Sequence, residues 1–114
     1  MNCRVEKSEI NGEIVCPPNK SYTHRAIFLA TLADGKSIIK NILKSGDTYS
    51  TINACKNFGA EIKDVGNDIT VNSTGELKLQ SDTIDAANSG TTIRIATAIS
   101  TLSSDKIVLT GDSS

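Results

Sequence analysis

The sequence predicts an α+β fold in one domain. Its 114 residues have the length of a single domain that can bury a modest core. The apolar share is 38%, with no Trp, two Phe and two Tyr, so the core must consist mainly of Ile, Leu, Val and Ala. Segments with helical spacing of apolar residues are interspersed with short alternating segments bounded by Gly, Asn and Asp. These features favour packed layers of helices and strands, of α/β or α+β type, over an aromatic-rich binding module.

The balance of charge excludes several classes of partner. The 12 basic and 13 acidic residues are scattered, so no basic stripe indicates nucleic acid or an anionic membrane surface. Cys3, Cys16 and Cys55 are odd in number and lack a C-x-x-C pair, which argues against a disulfide framework and a zinc site. We expect them to be reduced and mostly buried. There is no leader-like segment and no apolar run near the ~18 residues of a membrane span, so we expect a cytoplasmic protein.

The first predicted element is a β-hairpin over residues 2–16. Asn11-Gly12 could supply the two positive φ angles of a type I′ turn between flanking apolar residues. Pro17-Pro18 then prevents further strand pairing. We therefore assign residues 1–18 to a hairpin and a crossover.

A predominantly apolar helix is predicted next, over about residues 20–33. Asn19 can cap it and Gly35 can end it, while its first turn and a half is polar. This pattern predicts a buried helix with only its N-terminal tip exposed to solvent or a ligand. A strand is predicted to follow over residues 36–43.

The rest of the chain predicts two more helices and several strands. Asp47 is a natural N-cap for a second helix, and Gly59 is suited to its C-terminal end. Asn88-Ser89-Gly90 can open a third helix. The remaining predicted elements are a hairpin of residues 60–65 and 68–73 around Gly66-Asn67, a weaker strand over 76–80, the third helix over 91–102 and a strand over 106–110.

The chain also repeats itself at an offset of 69 residues. The aligned pairs are Asn19 with Asn88, Thr23 with Thr92, and Arg25 with Arg94. The motif Asn-x5-Arg thus recurs at the start of a helix. We interpret this as one complete β/α unit and the start of a second, which indicates a fragment of a longer protein.

The first turns of the helix at residue 20 contain a candidate anion site. Ser21 and Arg25 are four residues apart, so they share one helix face and can bind the same carboxylate or phosphate, and Lys20 adds a positive charge. A capped helix with a solvated basic end is the alternative. A cation at a helix N-terminus opposes the helix dipole, however, which favours a ligand site.

A second candidate segment is Asn88-Ser89-Gly90-Thr91. Gly90 would let backbone N–H groups approach a ligand closely, although a structural N-cap explains Asn88 and Ser89 as well. The repeat suggests that two helix tips converge on one multiply charged ligand. His24 is the only histidine, and we interpret it as a hydrogen-bonded structural residue rather than a catalyst.

Three motifs resemble those of the 5-enolpyruvylshikimate-3-phosphate synthases. Lys20-Ser21-Tyr22-Thr23-His24-Arg25-Ala26 is similar to the family's Lys-Ser-x-x-x-Arg-Ala signature. Asn88-Ser89-Gly90-Thr91-Thr92-Ile93-Arg94 resembles its Asn-Ala-Gly-Thr-x-x-Arg motif. Leu109-Thr110-Gly111-Asp112 resembles the strand end that precedes an Arg-x-Arg-Pro segment.

The resemblance implies a transferase of the shikimate pathway, the route to chorismate and the aromatic amino acids. Such enzymes move the enolpyruvyl group of phosphoenolpyruvate to the 5-hydroxyl of shikimate 3-phosphate and release phosphate, and they are the target of glyphosate. It implies two globular halves made of repeated βαβαββ units, with residues 19–114 in the N-terminal half. The rest of the same polypeptide would be the partner of this piece.

By the same resemblance, Lys20 lies between the two substrates, Ser21 and Arg25 hold shikimate 3-phosphate, and Asn88 and Gly90 contact phosphoenolpyruvate. No catalytic residue, metal ligand or cofactor site is predicted in this chain, which we expect to be inactive alone. Two alternatives stay open: the related enolpyruvyl transferase acting on UDP-N-acetylglucosamine, and a stand-alone, non-catalytic anion-binding module.

Overall fold

A computed structural model describes residues 1–113 and contains three helices and five strands within them. Each helix is followed by a strand along the chain. The five strands form a three-stranded antiparallel sheet and a separate parallel pair. In chain order they are α1 Lys20–Leu32, β1 Asp34–Ile39, α2 Gly46–Asn57, β2 Glu61–Val65, β3 Asp68–Thr74, β4 Thr83–Asp85, α3 Gly90–Ser100 and β5 Val108–Thr110. The predicted α+β class is confirmed, whereas the repetition of βαβαββ units stays a prediction.

The main sheet has the order β1-β3-β2, with both strand pairs antiparallel. Val65 pairs with Asp68 across the two-residue turn Gly66-Asn67, which confirms the predicted hairpin. Gly66 has φ +63° and Asn67 has a negative φ, as a type II′ turn requires. A separate pair is formed by β4 and β5, which run parallel.

One face of the main sheet forms the floor of the core. Alternate residues of β3 point inward, and Ile69 and Val71 are completely buried because successive strand residues face opposite sides. The helices cover this face, with Ile27 of α1 and Cys55 of α2 also at 0% exposure. The opposite face of β3 carries the polar residues Asp68, Thr70 and Asn72, so the helices and the sheet form two layers.

The predicted hairpin over residues 2–16 was wrong, because this segment contains no helix or strand. Its apolar side chains are exposed, including Ile10 at 99% and Ile14 at 88%. Asn11 does not have a positive φ, and Gly12 has φ +148°, far from the value of about +90° that a type I′ turn requires. The physical reason is that a lone two-stranded hairpin with no surface to cover is only marginally stable in water.

The bounds of several other elements also differ from prediction. Helix α1 ends at Leu32, with Ala33 extended, so Gly35 belongs to β1 rather than to the helix end. The N-cap of α2 is Ser45, not Asp47, because Ser45 and Thr48 exchange hydrogen bonds as a capping box. Gly59, with φ +107°, follows the C-cap Phe58 as predicted.

The predicted strand over residues 76–80 is absent. The backbone N–H groups of Lys78 and Gln80 instead donate to the carbonyls of Phe58 and Asn57 at the end of α2, at 2.9 Å each. A strand forms a few residues later as β4, which the sequence analysis did not predict.

The exposure of the cysteines and of helix α1 also differs from prediction. Cys55 is buried, but Cys3 and Cys16 are exposed, and all three are free thiols. Helix α1 is not buried all round, because Leu29 is 68% exposed on one side. Within residues 1–113 no helix has the length and apolar character needed to cross a membrane.

Candidate functional site

The N-terminal ends of the three helices meet at one place. Lys20 at the start of α1 donates from Nζ to Oδ2 of Asp47 in the first turn of α2, at 2.7 Å. The hydroxyl of Thr92 in the first turn of α3 lies 3.5 Å from the carbonyl oxygen of Asp47. The positive ends of three helix dipoles therefore share one region of the surface, where an anion would be stabilised.

The start of α1 is fixed by Asn19. Its backbone is extended, and its side-chain Oδ1 accepts a hydrogen bond from the backbone N–H of Tyr22 at 3.0 Å. This confirms the predicted cap and places the polar first turn at the surface. Lys20 and Ser21 in that turn are exposed, as is Arg25 in the second turn, which an anion site requires.

The start of α3 is fixed by Ser89, whose Oγ accepts from the backbone N–H of Thr92 at 3.2 Å. Asn88 and Gly90 on either side are exposed, and a Cβ built on Gly90 would meet nothing within 4 Å. The space in front of Gly90 is therefore open, and this glycine is not required by packing inside the chain. A ligand could approach the backbone N–H groups here.

The loop before α3 is strained and is held by β5. Ala87 has φ +46°, a left-handed conformation that costs a non-glycine residue about 1 kcal/mol. Ala86 N–H donates to the carbonyl of Thr110 at 2.9 Å, and Asp112 N–H donates to the carbonyl of Ala87 at 3.1 Å. These two bonds fix the loop, and thereby the position of Asn88. Backbone strain of this kind clusters at functional sites.

A chain of buried hydrogen bonds runs beneath the three helix ends. His24 Nδ1 lies 2.6 Å from the hydroxyl of Thr51, which lies 2.7 Å from that of Thr92, which in turn lies 2.6 Å from that of Ser89. None of the four residues is more than 2% exposed. The interpretation of His24 as a hydrogen-bonded residue is confirmed.

Burial lowers the pKa of His24 below 6.5; the charge of Asp47 acts in the opposite direction, and Lys20 adds to the lowering. A neutral imidazole follows at neutral pH, since desolvation penalises its charged form. His24 therefore does not add positive charge to the candidate anion site.

The structure groups the predicted site residues in two sets. Lys20, Ser21 and Arg25 belong to the start of α1, and Asn88 and Gly90 belong to the start of α3. The ion pair of Lys20 with Asp47 and the hydroxyl of Thr51 were not predicted from the sequence. Both depend on contacts between separate helices, for which the local sequence carries no signal.

The site offers hydrogen-bond donors and positive charge but no metal centre. Among residues 1–113 no three His, Cys, Asp or Glu side chains are arranged to hold a metal ion. What the arrangement can do chemically is to bind and orient small anions.

Comparisons with known proteins agree on one family. A family model described as EPSP synthase (3-phosphoshikimate 1-carboxyvinyltransferase) matches residues 5–114. The 3-phosphoshikimate 1-carboxyvinyltransferase of Nitrosopumilus maritimus is 54% identical over 114 residues, which cover 100% of this chain and 27% of that protein. The protein of the same name from Methanosarcina mazei is 50% identical over 115 residues, covering 100% of this chain and 26% of that protein.

A solved structure supports the same relation. EPSP synthase from Acinetobacter baumannii superimposes with a TM-score of 0.75 at 28% sequence identity, covering 90% of this chain and 24% of that chain. This chain spans about a quarter of the length of the curated relatives it matches.

Proposed function

Because the chain belongs to the EPSP synthase family, we propose that it forms part of the N-terminal globular half of a 3-phosphoshikimate 1-carboxyvinyltransferase. That enzyme transfers the enolpyruvyl group of phosphoenolpyruvate to the 5-hydroxyl of shikimate 3-phosphate and releases phosphate. The remainder of the longer polypeptide supplies the other half of the site, and this piece is inactive alone.

The observation that carries this proposal is the meeting of the three helix starts. Both substrates are small molecules with phosphate and carboxylate groups, and helix N-termini bind such anions through free N–H groups and the dipole. On α1, Lys20 lies between the two substrates, and Ser21 and Arg25 hold shikimate 3-phosphate. Asn88 and Gly90 contact phosphoenolpyruvate from α3, where the space before Gly90 is open.

The ion pair of Lys20 with Asp47 is compatible with this role. The Lys20 side chain is 50% exposed, and such a pair contributes only about 0–1 kcal/mol. Lys20 can therefore exchange Asp47 for a substrate anion at little cost, while Asp47 keeps the ammonium group near the helix ends in the meantime.

Two other functions are less well supported. The relatives named 3-phosphoshikimate 1-carboxyvinyltransferase favour the shikimate substrate over UDP-N-acetylglucosamine. Their greater length favours a piece of an enzyme over a stand-alone anion-binding module. The cytoplasm stays the proposed compartment.

The test is an amide NMR titration of the chain with shikimate 3-phosphate. We expect saturable shifts at residues 20–25 and 88–94 that disappear in the double variant Lys20→Ala, Arg25→Ala. The matched control is Arg4→Ala, Lys36→Ala, which removes the same charge from exposed positions elsewhere.

Three outcomes would contradict the proposal. Shifts that persist in the Lys20→Ala, Arg25→Ala variant, or that disappear in the control, would indicate nonspecific charge binding. Preferential binding of UDP-N-acetylglucosamine in a parallel titration would favour the alternative enzyme. Turnover of both substrates by the chain would refute its proposed inactivity.

A further inference from the structure

A single hydrogen-bond chain passes through all three helices beneath the candidate site. It starts at His24 on α1, continues through Thr51 on α2 and ends at Thr92 and Ser89 on α3. The spacings of 2.6 to 2.7 Å between successive heavy atoms are those of well-formed hydrogen bonds. The first and last members are neighbours in sequence of the two predicted sets of anion-binding residues.

Neutral His24 has two tautomers, and each fixes the direction of its bond with Thr51. With the proton on Nδ1, His24 donates to Thr51, Thr51 donates to Thr92, and Thr92 donates to Ser89 or to the carbonyl of Asp47. With the proton on Nε2, every bond between the side chains runs the other way. The first order leaves a lone pair at Nε2 without a partner, and the second leaves a buried N–H group there.

His24 Nε2 is the only buried side-chain nitrogen or oxygen without a hydrogen-bond partner among residues 1–113. A buried N–H without an acceptor is the rarer of the two defects in proteins, which favours the proton on Nδ1. Protonation of both nitrogens would place a charged, unpaired N–H at the same buried position. The geometry alone therefore requires a neutral ring.

We propose that neutral His24 is a positioning residue of the anion site. It fixes the start of α3, with Asn88 and Gly90, relative to the start of α1, with Lys20 and Arg25, by acting through the hydroxyls of Thr51 and Thr92. This inference rests on the proposed function for the identity of the ligand. The link between the helices is a property of the chain itself and can be tested without any ligand.

The main test compares two buried threonines that are replaced by isosteric valine. Thr51→Val breaks the chain in its middle. Thr31→Val is the control, since Thr31 is equally buried but bonds the carbonyl of Ile27, away from the helix starts. We expect Thr51→Val to move the amide signals of residues 21–25 and 88–92 together, and Thr31→Val to leave both sets in place.

Ligand affinity gives a second readout. In Thr51→Val the dissociation constant for shikimate 3-phosphate should rise about tenfold relative to Thr31→Val, since contacting groups in one network are typically coupled by this order. His24→Asn, which retains a donor and an acceptor, should recover part of the affinity lost in His24→Phe.

The single histidine gives a third readout, because its ring nitrogens are the only imidazole signals. We expect their ¹⁵N shifts to report a neutral ring protonated on Nδ1, which stays neutral below pH 6.5. Lys20 and Asp47 are the charged groups that act on this ring, in opposite directions. Ordinary titration near pH 6.5 would overturn the inference.

Failure of this inference can be separated from failure of the proposed function. If no shikimate 3-phosphate binds to the original chain, the proposed ligand is in doubt, but the linked amide shifts still test the positioning role. If shikimate 3-phosphate binds equally well to Thr51→Val and Thr31→Val, and the amide signals of residues 88–92 do not shift, the positioning role of His24 is refuted. The proposed ligand is then still supported.

Discussion

Cys55 illustrates how burial alone can determine the chemistry of one side chain. It is completely buried against the core, and its thiol has a hydrogen bond with the Thr31 side chain. Burial raises the pKa of Cys55 to about 12, and the hydrogen bond lowers it by less. The thiolate, which is the reactive species, is therefore absent at neutral pH.

We expect a thiol-specific reagent to modify Cys3 and Cys16 rapidly in the native chain and Cys55 only in urea, because Cys55 alone is buried. Mass spectrometry after timed labelling would measure this. Rapid modification of all three native thiols would contradict the buried position of Cys55.

The thiol of Cys55 also makes the free energy of unfolding depend on pH in the alkaline range. The pKa in the folded state is about 12 against 9.0 for the ordinary thiol, so the unfolded chain loses its proton first. The contribution of Cys55 to stability is complete below pH 9 and declines between pH 9 and about pH 12, where the folded-state thiol also loses its proton. In urea titrations, Cys55→Ala should remove this part of the decline.

At the level of residues, the sequence predicted those groups whose role follows from their place in a helix. Asn19 as a cap and the exposed first turn with Lys20 follow from local rules. Asp47 was misassigned as a cap, because a cap needs an extended backbone and Asp47 lies inside the helix that Ser45 opens. Its pairing with Lys20 depends on how two helices pack.

Among the elements, helices were predicted better than strands. The three helices have clear caps and long apolar patterns, so their existence could be predicted from sequence. The segment 76–80 alternates like a strand, but its N–H groups bond the end of α2. Alternation of apolar and polar residues does not indicate which carbonyl will accept a hydrogen bond from a given N–H group. For the same reason β4 was not predicted.

Two glycines at the ends of elements should differ in their tolerance of a side chain. Gly66 has φ +63°, and a Cβ added there would meet nothing within 4 Å, so Gly66→Ala should cost about 1 kcal/mol of unfolding free energy. Gly59 has φ +107°, and a Cβ there would lie 2.9 Å from the carbonyl oxygen of Lys78. Gly59→Ala should cost about 3 kcal/mol, since strain and overpacking add.

Urea denaturation of the two variants side by side measures this difference. Equal losses would show that the contact between Gly59 and Lys78 does not constrain the chain. Loss of the β2–β3 pairing in Gly66→Ala, detected by amide hydrogen exchange, would mean that the hairpin requires glycine at this positive φ, although the space around Gly66 is open.

On the scale of the whole molecule, the first residues set the outer dimensions. The radius of gyration is 17.3 Å and the longest axis is 59 Å, whereas a compact domain of this length has a radius of about 13 Å. The difference reflects residues 1–17, all exposed and without regular structure. The turn signal at Asn11-Gly12 could not indicate whether a sheet is present for the hairpin to join.

Removal of residues 1–16 should therefore leave the unfolding free energy unchanged within about 0.5 kcal/mol. The control is removal of residues 1–19, which also deletes the cap Asn19 and should cost about 1 kcal/mol. Thermal and urea unfolding of both variants would measure this. A large loss on the shorter truncation would show that the segment stabilises the core.

Among the residues that the structure describes, the sheet order β1-β3-β2 leaves each outer strand with one row of backbone groups that no neighbouring strand satisfies. Such a row is a template on which a second molecule can add its own strand, and repeated addition leads to fibres. The outer strands carry Lys36 on one side and Glu61, Lys63 and Asp64 on the other, and these residues are exposed. Charged side chains on edge strands hinder such addition. We therefore expect these surface residues to act against polymerisation of the chain.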